Sequence, residues 1–389
     1  MSHKILVVDD EPHLETLISQ RFRKRIRAGE LSFQFAGNGA EAMTVVQADA
    51  DLDVVLTDIN MPVMDGLTLL SRLREAHPHL RAVIVSAYGD MTNIRTALNR
   101  GAFDFVTKPI DLQDLEITLD KAIGESLLRK QAVQDREHLV VINRELDLAR
   151  GIQESLVPRH FPSDSRFEIY GTMIPASQVG GDLFDFFLLD ANRIAVSVGD
   201  VSGKGLPAAL FMAVSRTVLR VTAMKGLPPH ECMEEVNRFL SLDQTTAMYL
   251  TCFYGILDLD SGKLEYSRAA HNAPYLVRAP AAGGTVKGLR AASGLPLGMF
   301  DSGTYDTASV QLNPGDCLVM YTDGVTEAAN RGGEMYGEER LVPLLKSVAA
   351  KPARDVVQAA IDGVQAFAHG APQSDDITVL ALSYLGQGQ

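Results

Sequence analysis

Several features are scarce in this chain, and each scarcity excludes a class of protein. Tryptophan is absent and cysteine occurs three times without a Cys-x-x-Cys pair, so neither a disulfide scaffold nor a cysteine zinc site is expected. No apolar run reaches the roughly 18 residues of a membrane span, and the N-terminus lacks the apolar segment of a secretory signal. The net charge of −13 provides no basic surface for nucleic acid or anionic membranes. We therefore expect a cytoplasmic protein that binds neither.

The length of 389 residues predicts two or three domains. Over residues 1–123, short apolar strands alternate with amphipathic helices, which is typical of a doubly wound α/β domain. The predicted strands are Lys4–Val8, Ser32–Ala36, Asp53–Thr57, Ala82–Val85 and Asp104–Thr107. The pattern therefore predicts a five-stranded parallel sheet with a flavodoxin-like arrangement.

Residues 124–160 form a predicted helical linker, because the stretch from Leu112 to about Val157 contains no proline. Its later part has apolar residues at alternating spacings of three and four, which is the pattern of a short coiled coil. The seam consists of Leu139, Ile142, Leu146, Ala149 and Leu156, with Gln153 completing the pattern. A homodimer through this helix is the favoured interpretation, and a helix packed on its own domain is the alternative.

Residues 161–389 form the third predicted segment. Short strands separated by turns dominate it, and its helices come in separate runs. This order predicts an α+β domain, an antiparallel β-sandwich flanked by helices.

Polar residues stand at the C-terminal ends of the predicted strands of the first domain. Asp9, Asp10 and Asp58 would meet at one edge of the sheet, where three carboxylates repel one another unless a cation is present. Mg²⁺ resolves this repulsion and makes Asp58 a target for phosphoryl transfer. Ser86 and Lys108 would hold the remaining phosphoryl oxygens.

These residues closely resemble the response-regulator receiver family over about residues 3–123. The matching motifs are Val-Val-Asp9-Asp10-Glu, Asp58-Ile-Asn60-Met-Pro62-Val-Met-Asp-Gly66, Ser86-Ala87 and Thr-Lys108-Pro109. The resemblance implies that Asp58 is the phosphoacceptor. The implied magnesium ligands are Asp10 with Asp9 in support, Asp58 and the carbonyl oxygen of Asn60. The implied switch residues are Ser86, Phe105 and Lys108, followed by a cis-proline at Pro109.

A second group of aspartates stands at strand ends in the C-terminal part. Asp200 and Asp323 end apolar runs, Asp375 begins one, and Asp182 follows a Gly-Gly pair. Two C-terminal ends and one N-terminal end can share one edge of an antiparallel sheet, so these carboxylates could meet. Few basic residues lie near them in sequence, and hard oxygen ligands suit Mg²⁺ or Mn²⁺. Two such ions would activate a water that attacks a phosphate ester.

Together these segments resemble the metal-dependent serine/threonine phosphatases of the phosphatase 2C-like family, specifically its bacterial RsbU/SpoIIE-type branch. The resemblance covers roughly residues 149–385 and includes Val179-Gly-Gly-Asp182-Leu-Phe-Asp185, Gly199-Asp200-Val-Ser-Gly-Lys-Gly205, Tyr321-Thr-Asp323-Gly and Ser374-Asp375-Asp376-Ile-Thr378. It implies that Asp200 bridges two metal ions. Asp182 and the carbonyl of Val201 would bind one ion, while Asp323 and Asp375 would bind the other. Asp185 and Asp376 are candidates for supporting these ligands or for holding a third ion.

Two other polar residues near these motifs suggest a role in catalysis. Lys204 could bind phosphate, since Ile174–Gln178 provides no phosphate-gripping arginine, but its flanking glycines favour a solvated turn. His271 could be a general acid, yet its place beside Asn272 favours a structural hydrogen-bonding role.

The favoured function is a two-component response regulator with a phosphatase output. A histidine kinase or phosphotransfer protein would phosphorylate Asp58, and the linker helix would then activate the phosphatase. By analogy with the branch, the substrate is a phosphorylated partner such as an anti-sigma-factor antagonist. The alternative is a non-catalytic adaptor that uses the phosphatase fold as a docking surface. Presence of all four metal-site aspartates favours catalysis.

Overall fold

The structure is a computed structural model that describes residues 2–386 except 78, 88, 163, 243–246 and 281–283. It divides into two compact units, Met1–Ile142 and Asn143–Gln389. The boundary between them falls inside one long helix.

The first unit is built on a single parallel sheet. Its elements are β1 (His3–Val8), α1 (Pro12–Arg21), α2 (Arg23–Arg27), β2 (Leu31–Ala36), α3 (Gly39–Ala48), β3 (Val54–Asp58), α4 (Gly66–Ala76), β4 (Arg81–Ala87), α5 (Met91–Asn99) and β5 (Asp104–Lys108). The strand order is β2-β1-β3-β4-β5, with every neighbouring pair parallel. Apolar clusters cover both faces, as expected when crossover helices lie on either side of a parallel sheet. The predicted doubly wound fold is confirmed.

Helix α6 (Leu112–Leu156) follows β5 and is 45 residues long, which confirms the predicted helical linker. Its first turns belong to the core of the first unit, where Leu115 and Leu119 are buried. The predicted coiled-coil seam divides into two parts. Leu139 and Ile142 are exposed, with 59% and 41% of their surface accessible, whereas Gln153 is buried within the second unit. The later part of the seam therefore matches the alternative interpretation, a helix packed on its own domain.

The second unit contains two sheets and five helices among the described residues. Its strands are β6 (Phe167–Ile174), β7 (Leu183–Leu188), β8 (Arg193–Val201), β9 (Leu250–Asp258), β10 (Lys263–Ala269), β11 (Tyr275–Val277), β12 (Val286–Gly288), β13 (Ser293–Gly294), β14 (Ala308–Gln311), β15 (Cys317–Tyr321) and β16 (Ile377–Tyr384). Its helices, after the end of α6, are α7 (Leu206–Ala223), α8 (Pro229–Ser241), α9 (Asp323–Thr326), α10 (Glu338–Ser347) and α11 (Ala353–Ala368). One sheet has the order β13-β10-β9-β8-β7, with β14 also paired to β10, and the other has the order β12-β11-β15-β16-β6. All these pairs are antiparallel except β10 with β13.

The two sheets pack face to face and carry helices on their outer faces. Successive side chains of β8 point to opposite faces of its sheet, and both faces are covered. Ile194, Val196 and Val198 belong to the core between the sheets, while Ala195 belongs to the core under α7 and α8. A third cluster joins the second sheet to α10 and α11. The predicted sandwich flanked by helices is confirmed.

Helix α7 is long and apolar enough to cross a membrane by length and composition alone. Its buried residues, including Ala208, Met212 and Leu219, pack into the core beneath the first sheet of the sandwich. This packing is the ordinary one for a core helix of a folded domain.

Candidate active sites

The first site lies where β1 and β3 end. Asp9 and Asp10 follow β1 and Asp58 is the last residue of β3, so the parallel strands deliver all three to one edge. One ligand oxygen from each carboxylate lies within 4.8 Å of the others. Such a cluster of oxygen donors fits a hard divalent cation. The peptide N–H of Asn60 donates to Asp58 Oδ1 at 3.2 Å, which places the Asn60 backbone beside the same carboxylate.

Lys108 supplies the positive charge at this edge. Its Nζ lies 2.5 Å from Asp58 Oδ2 and 3.1 Å from Asp9 Oδ2. Although burial lowers the pKa of Lys108, the hydrogen bonds that its ammonium donates to Asp58 and Asp9 outweigh this effect and raise the pKa. The Lys108–Pro109 peptide is cis, as predicted. The raised pKa favours the charged ammonium, and its contacts direct it at the proposed phosphoacceptor.

The two other switch candidates also lie beside this edge. Ser86 is in β4 and is 2% exposed, with no hydrogen-bond partner for its Oγ among the described residues. Phe105 is half-buried in β5, paired with Ile84 of β4. A buried hydroxyl without a partner is available to donate to an oxygen that arrives at the edge.

The second site lies at one end of the sandwich. Asp182 directly precedes β7 and Asp200 lies in β8, so both belong to the first sheet. Asp323 begins α9 after β15, and Asp375 precedes β16, so both belong to the second sheet. The expectation that the strand ends share one edge of a single sheet is wrong. The carboxylates come near one another because two stacked sheets place their ends together.

Asp182 is the most enclosed of these four carboxylates, at 1% exposure. Its Oδ2 accepts hydrogen bonds from the hydroxyls of Thr322, at 2.7 Å, and Thr378, at 2.6 Å. Each threonine neighbours another acidic motif, so the two hydroxyls tie the second sheet to Asp182. Both threonines belong to the acidic motifs of the sequence, but the motifs alone did not predict these contacts.

Burial and mutual repulsion dominate the electrostatics of this cluster. Burial raises the pKa of Asp182, and the nearby Asp200 raises it further. Burial likewise raises the pKa of Asp200, reinforced by Asp323 and Asp375, and it raises the pKa of Asp323. Buried carboxylates that repel one another are the donor set that divalent cations stabilise. The residues therefore fit metal ions by charge and chemistry.

The four carboxylates of the second site are spaced more widely than the three of the first site. Across the described part of the chain, only the Asp9, Asp10 and Asp58 group brings three potential ligand atoms within 4.8 Å of one another. Among the four candidate ligands of the second site, Asp375 already has a cationic partner, since Lys204 Nζ lies 2.9 Å from Asp375 Oδ2 and also contacts the carbonyl of Ser374. Lys204 is exposed between two glycines, as the sequence favoured, and its ammonium nevertheless reaches Asp375.

Glycines 180 and 181 allow the backbone before Asp182 to approach the site closely. A Cβ on Gly181 would lie 3.0 Å from the carbonyl oxygen of Val201, the predicted backbone ligand. A Cβ on Gly180 would lie 2.4 Å from Asp376 Oδ2. Side chains at either position would therefore displace groups of the site.

The structure gives Asp376 and Asp185 structural partners. Asp376 accepts from the backbone N–H of Ala176 at 2.7 Å and of Gly181 at 2.6 Å, so it holds the segment that leads to Asp182. Asp185 is 1% exposed and lies 3.0 Å from an Arg216 nitrogen and 2.9 Å from Arg220 Nη1. Burial raises its pKa against the lowering effect of both arginines. Asp376 supports the site through the backbone, whereas the Asp185 carboxylate is occupied by two guanidinium groups. The spacing of four between the arginines in α7 was the available sequence signal.

The end of the linker helix also contacts this site. Gln153 is 5% exposed, and its side-chain amide accepts from the Gly180 N–H at 3.0 Å and donates to the Gly180 carbonyl. In the sequence, Gln153 was predicted only to complete the helical stripe. Through this pair of hydrogen bonds, α6 fixes the segment that carries Gly181 and Asp182.

His271 has the structural role that the sequence favoured. It is buried, and burial lowers its pKa to about 4, so the ring is neutral near neutral pH. Its Nδ1 lies 2.9 Å from the Thr251 hydroxyl, which in turn lies 3.3 Å from the carbonyl oxygen of Asp200. The histidine therefore supports the strand that carries Asp200.

Together, the parallel sheet with its acidic edge and the sandwich with its buried aspartates define a receiver domain joined to a phosphatase 2C-like domain. Comparison with known families agrees. Residues 190–385, half of the chain, match the family described as stage II sporulation protein E (SpoIIE), and residues 5–120 match the response regulator receiver domain. The chain belongs to the SpoIIE family and carries an N-terminal receiver domain.

Individual relatives share parts of this arrangement. Protein IcfG of Synechocystis sp. is 30% identical over 271 residues, which is 62% of this chain and 42% of IcfG. Phosphoserine phosphatase RsbU of Bacillus subtilis is 25% identical over 268 residues, 69% of this chain and 78% of RsbU. The solved SiaA-PP2C domain of Pseudomonas aeruginosa has a TM-score of 0.55 at 22% identity and covers 64% of this chain and 98% of its own. That likeness shows the fold. The chain spans less than half the length of IcfG.

Proposed function

We propose that the chain hydrolyses phosphoserine or phosphothreonine on a partner protein, using two Mn²⁺ or Mg²⁺ ions held by its second unit. The observation that carries this proposal is the cluster of Asp182, Asp200, Asp323 and Asp375 at one end of the sandwich. Three of these carboxyls have raised pKa values through burial. Burying carboxylates costs folding free energy, and a protein that served only as a docking adaptor would have no need of them.

Each residue of the second site has a proposed role in binding the metal ions or orienting a ligand. When bound, the two ions would activate a water and neutralise the phosphate oxygens. Asp182 and the Val201 carbonyl would hold one ion, Asp323 and Asp375 the other, and Asp200 both. The threonine hydroxyls orient Asp182 by fixing one of its oxygens and leaving the other for a ligand.

The receiver is proposed to accept a phosphoryl group on Asp58 from a histidine kinase or phosphotransfer protein. Asp9, Asp10, Asp58 and the Asn60 carbonyl would hold Mg²⁺. Lys108 already contacts Asp58 and would hold an oxygen of the transferred group, while the unpartnered Ser86 hydroxyl would bind another.

Helix α6 is the proposed connection between receiver and phosphatase. It starts in the receiver core, and its last turns contain Gln153, which is bonded to Gly180. A change at the start of the helix can therefore reach the loop before Asp182 through continuous helical backbone. We propose that phosphorylation activates the enzyme by this route, with a homodimer through the exposed part of α6 that includes Leu139 and Ile142.

The proposed substrate is a cytoplasmic anti-sigma-factor antagonist carrying phosphoserine or phosphothreonine. The support is similarity to RsbU, whose name describes a phosphoserine phosphatase.

The central experiment measures manganese-dependent phosphate release from such phosphoproteins by the full chain. Activity should appear with Mn²⁺, disappear in Asp200→Asn, and persist in Asp362→Asn, which removes an exposed aspartate on α11. Full activity in Asp200→Asn would show that the site is wrong. Absence of Mn²⁺ binding to the second unit by calorimetry would favour the adaptor.

Beryllofluoride, which mimics a phosphoryl group on Asp58, tests the regulatory part of the proposal. It should raise turnover in the wild type and have no effect in Asp58→Asn. Unchanged or lower turnover in the wild type would reject activation by phosphorylation.

A further inference from the structure

A cavity of about 250 Å³ opens beside the proposed metal site. Its wall includes Gly324, the neighbour of Asp323, and Asp375 itself. The remaining wall comes from Ala328 and Ala329 after α9, the C-terminal end of α11, the segment that follows α11 and the start of β16. The cavity therefore shares residues with the site that would hold the phosphate.

The lining of this cavity is almost uncharged. Asp375 is the one charged residue among those that form it. Val364 and Ile377 are buried beneath it, at 1% and 5% exposure. Alanines, including Ala368 and Ala371, keep the space open because they fill little of it. The surface is suited to an uncharged apolar group.

The size of the cavity limits what can occupy it. Pockets for drug-sized ligands measure about 300–1,000 Å³, so this one is smaller than that range. It suits one amino-acid side chain. No residue in the lining carries a positive charge that would pair with an acidic side chain.

We propose that this cavity, the flanking-residue pocket, binds an apolar side chain of the phosphoprotein substrate close in sequence to the phosphorylated residue. The proposal rests on the proposed phosphatase function. A phosphoserine at the metal site brings its neighbours within reach, because each residue of an extended peptide spans about 3.3–3.6 Å. Asp375 belongs to both the pocket and the proposed metal site, and Gly324 of the pocket adjoins Asp323. One or two residues of the substrate therefore suffice to reach from the metal site to the pocket. The pocket makes the enzyme selective for phosphosites with an aliphatic neighbour.

The test uses synthetic phosphoserine peptides of one glycine-rich uncharged sequence in which a single leucine is moved along the positions next to phosphoserine. The full chain with Mn²⁺ should show kcat/KM about tenfold higher for leucine at one of these positions, as expected for burial of such a side chain. p-Nitrophenyl phosphate serves as a substrate without neighbours.

Filling the pocket should remove the preference without harming the chemistry. Ala368→Leu should treat all peptides alike while turnover of p-nitrophenyl phosphate stays at the wild-type rate. Ala366→Leu places the same side chain on an exposed position of α11 outside the lining and should keep the preference. Ala371→Leu, in the segment after α11, is the second filling variant should Ala368→Leu melt at a lower temperature.

Three results separate the possibilities. Equal kcat/KM for every leucine position in the wild type would overturn the inference. A preference that survives in both folded filling variants would also overturn it, since another surface would then be responsible. No turnover of p-nitrophenyl phosphate or of any peptide by the wild type would refute the proposed phosphatase function, and this inference with it.

Discussion

The contact between Gln153 and Gly180 makes a sharp prediction about control of the phosphatase. In Gln153→Ala, the N–H and the carbonyl of Gly180 both lose their hydrogen-bond partner. Because Gly180 is buried, water does not replace that partner while the segment stays in place. Each buried backbone group left unpaired costs about 1–3 kcal/mol. The segment before Asp182 should therefore open until water satisfies these groups.

Even at about 1 kcal/mol for each of the two groups, the total cost is about 2 kcal/mol. A change of about 1.4 kcal/mol shifts an equilibrium tenfold. Because the open segment moves Gly181 and Asp182 out of place, we expect manganese-dependent turnover of p-nitrophenyl phosphate to fall at least tenfold at limiting Mn²⁺. The concentration of Mn²⁺ needed for half-maximal activity should rise, because Asp182 is a proposed ligand.

The assay compares Gln153→Ala with Arg150→Ala in the full chain. Arg150 lies on the same helix, and its partner Glu154 is exposed, so its removal should change neither activity nor Mn²⁺ dependence. Equal activity and equal Mn²⁺ dependence in Gln153→Ala and the wild type would refute the reasoning, because the hydrogen bonds would then not hold the segment.

Three further substitutions test individual contacts. Asp185→Asn should lower the melting temperature by roughly 6 °C or more in calorimetry, because breaking a buried charge pair costs about 3–5 kcal/mol; an unchanged melt with lost Mn²⁺ binding would instead indicate a metal ligand. Gly181→Ala should weaken Mn²⁺ binding in isothermal titration, because its Cβ would crowd the Val201 carbonyl at 3.0 Å; unchanged affinity would exclude Val201 as a ligand. Lys204→Met should raise KM for a phosphopeptide with little change in kcat, because the ammonium beside Asp375 is placed to bind substrate phosphate. An unchanged KM would mean that Lys204 only forms the ion pair with Asp375.

Much of the receiver could be predicted from the sequence because its order along the chain maps directly onto space. In a parallel sheet every strand delivers its last residues to the same edge, so Asp9, Asp58 and Lys108 could be assembled from strand ends alone. The cluster within 4.8 Å and the Lys108 contacts agree with that expectation.

The proposed phosphatase site was less predictable because its parts come from two sheets. The sequence identified Asp182, Asp200, Asp323 and Asp375, but it placed the strand ends on a single sheet. Stacking of the sheets, driven by burial of their apolar faces, is what brings these residues together.

The sequence by itself determined the two fold types, the linker helix and the acidic residues of both proposed sites, since these follow from local periodicity and motif spacing. Only the tertiary structure decided which partner each acidic side chain has. Asp185 faces two arginines, Asp376 caps the backbone, and Asp182 receives two threonine hydroxyls. It also decided that Gln153 contacts Gly180 rather than continuing a seam. Such pairings depend on residues far apart in the chain, and no local pattern encodes the packing that brings them into contact.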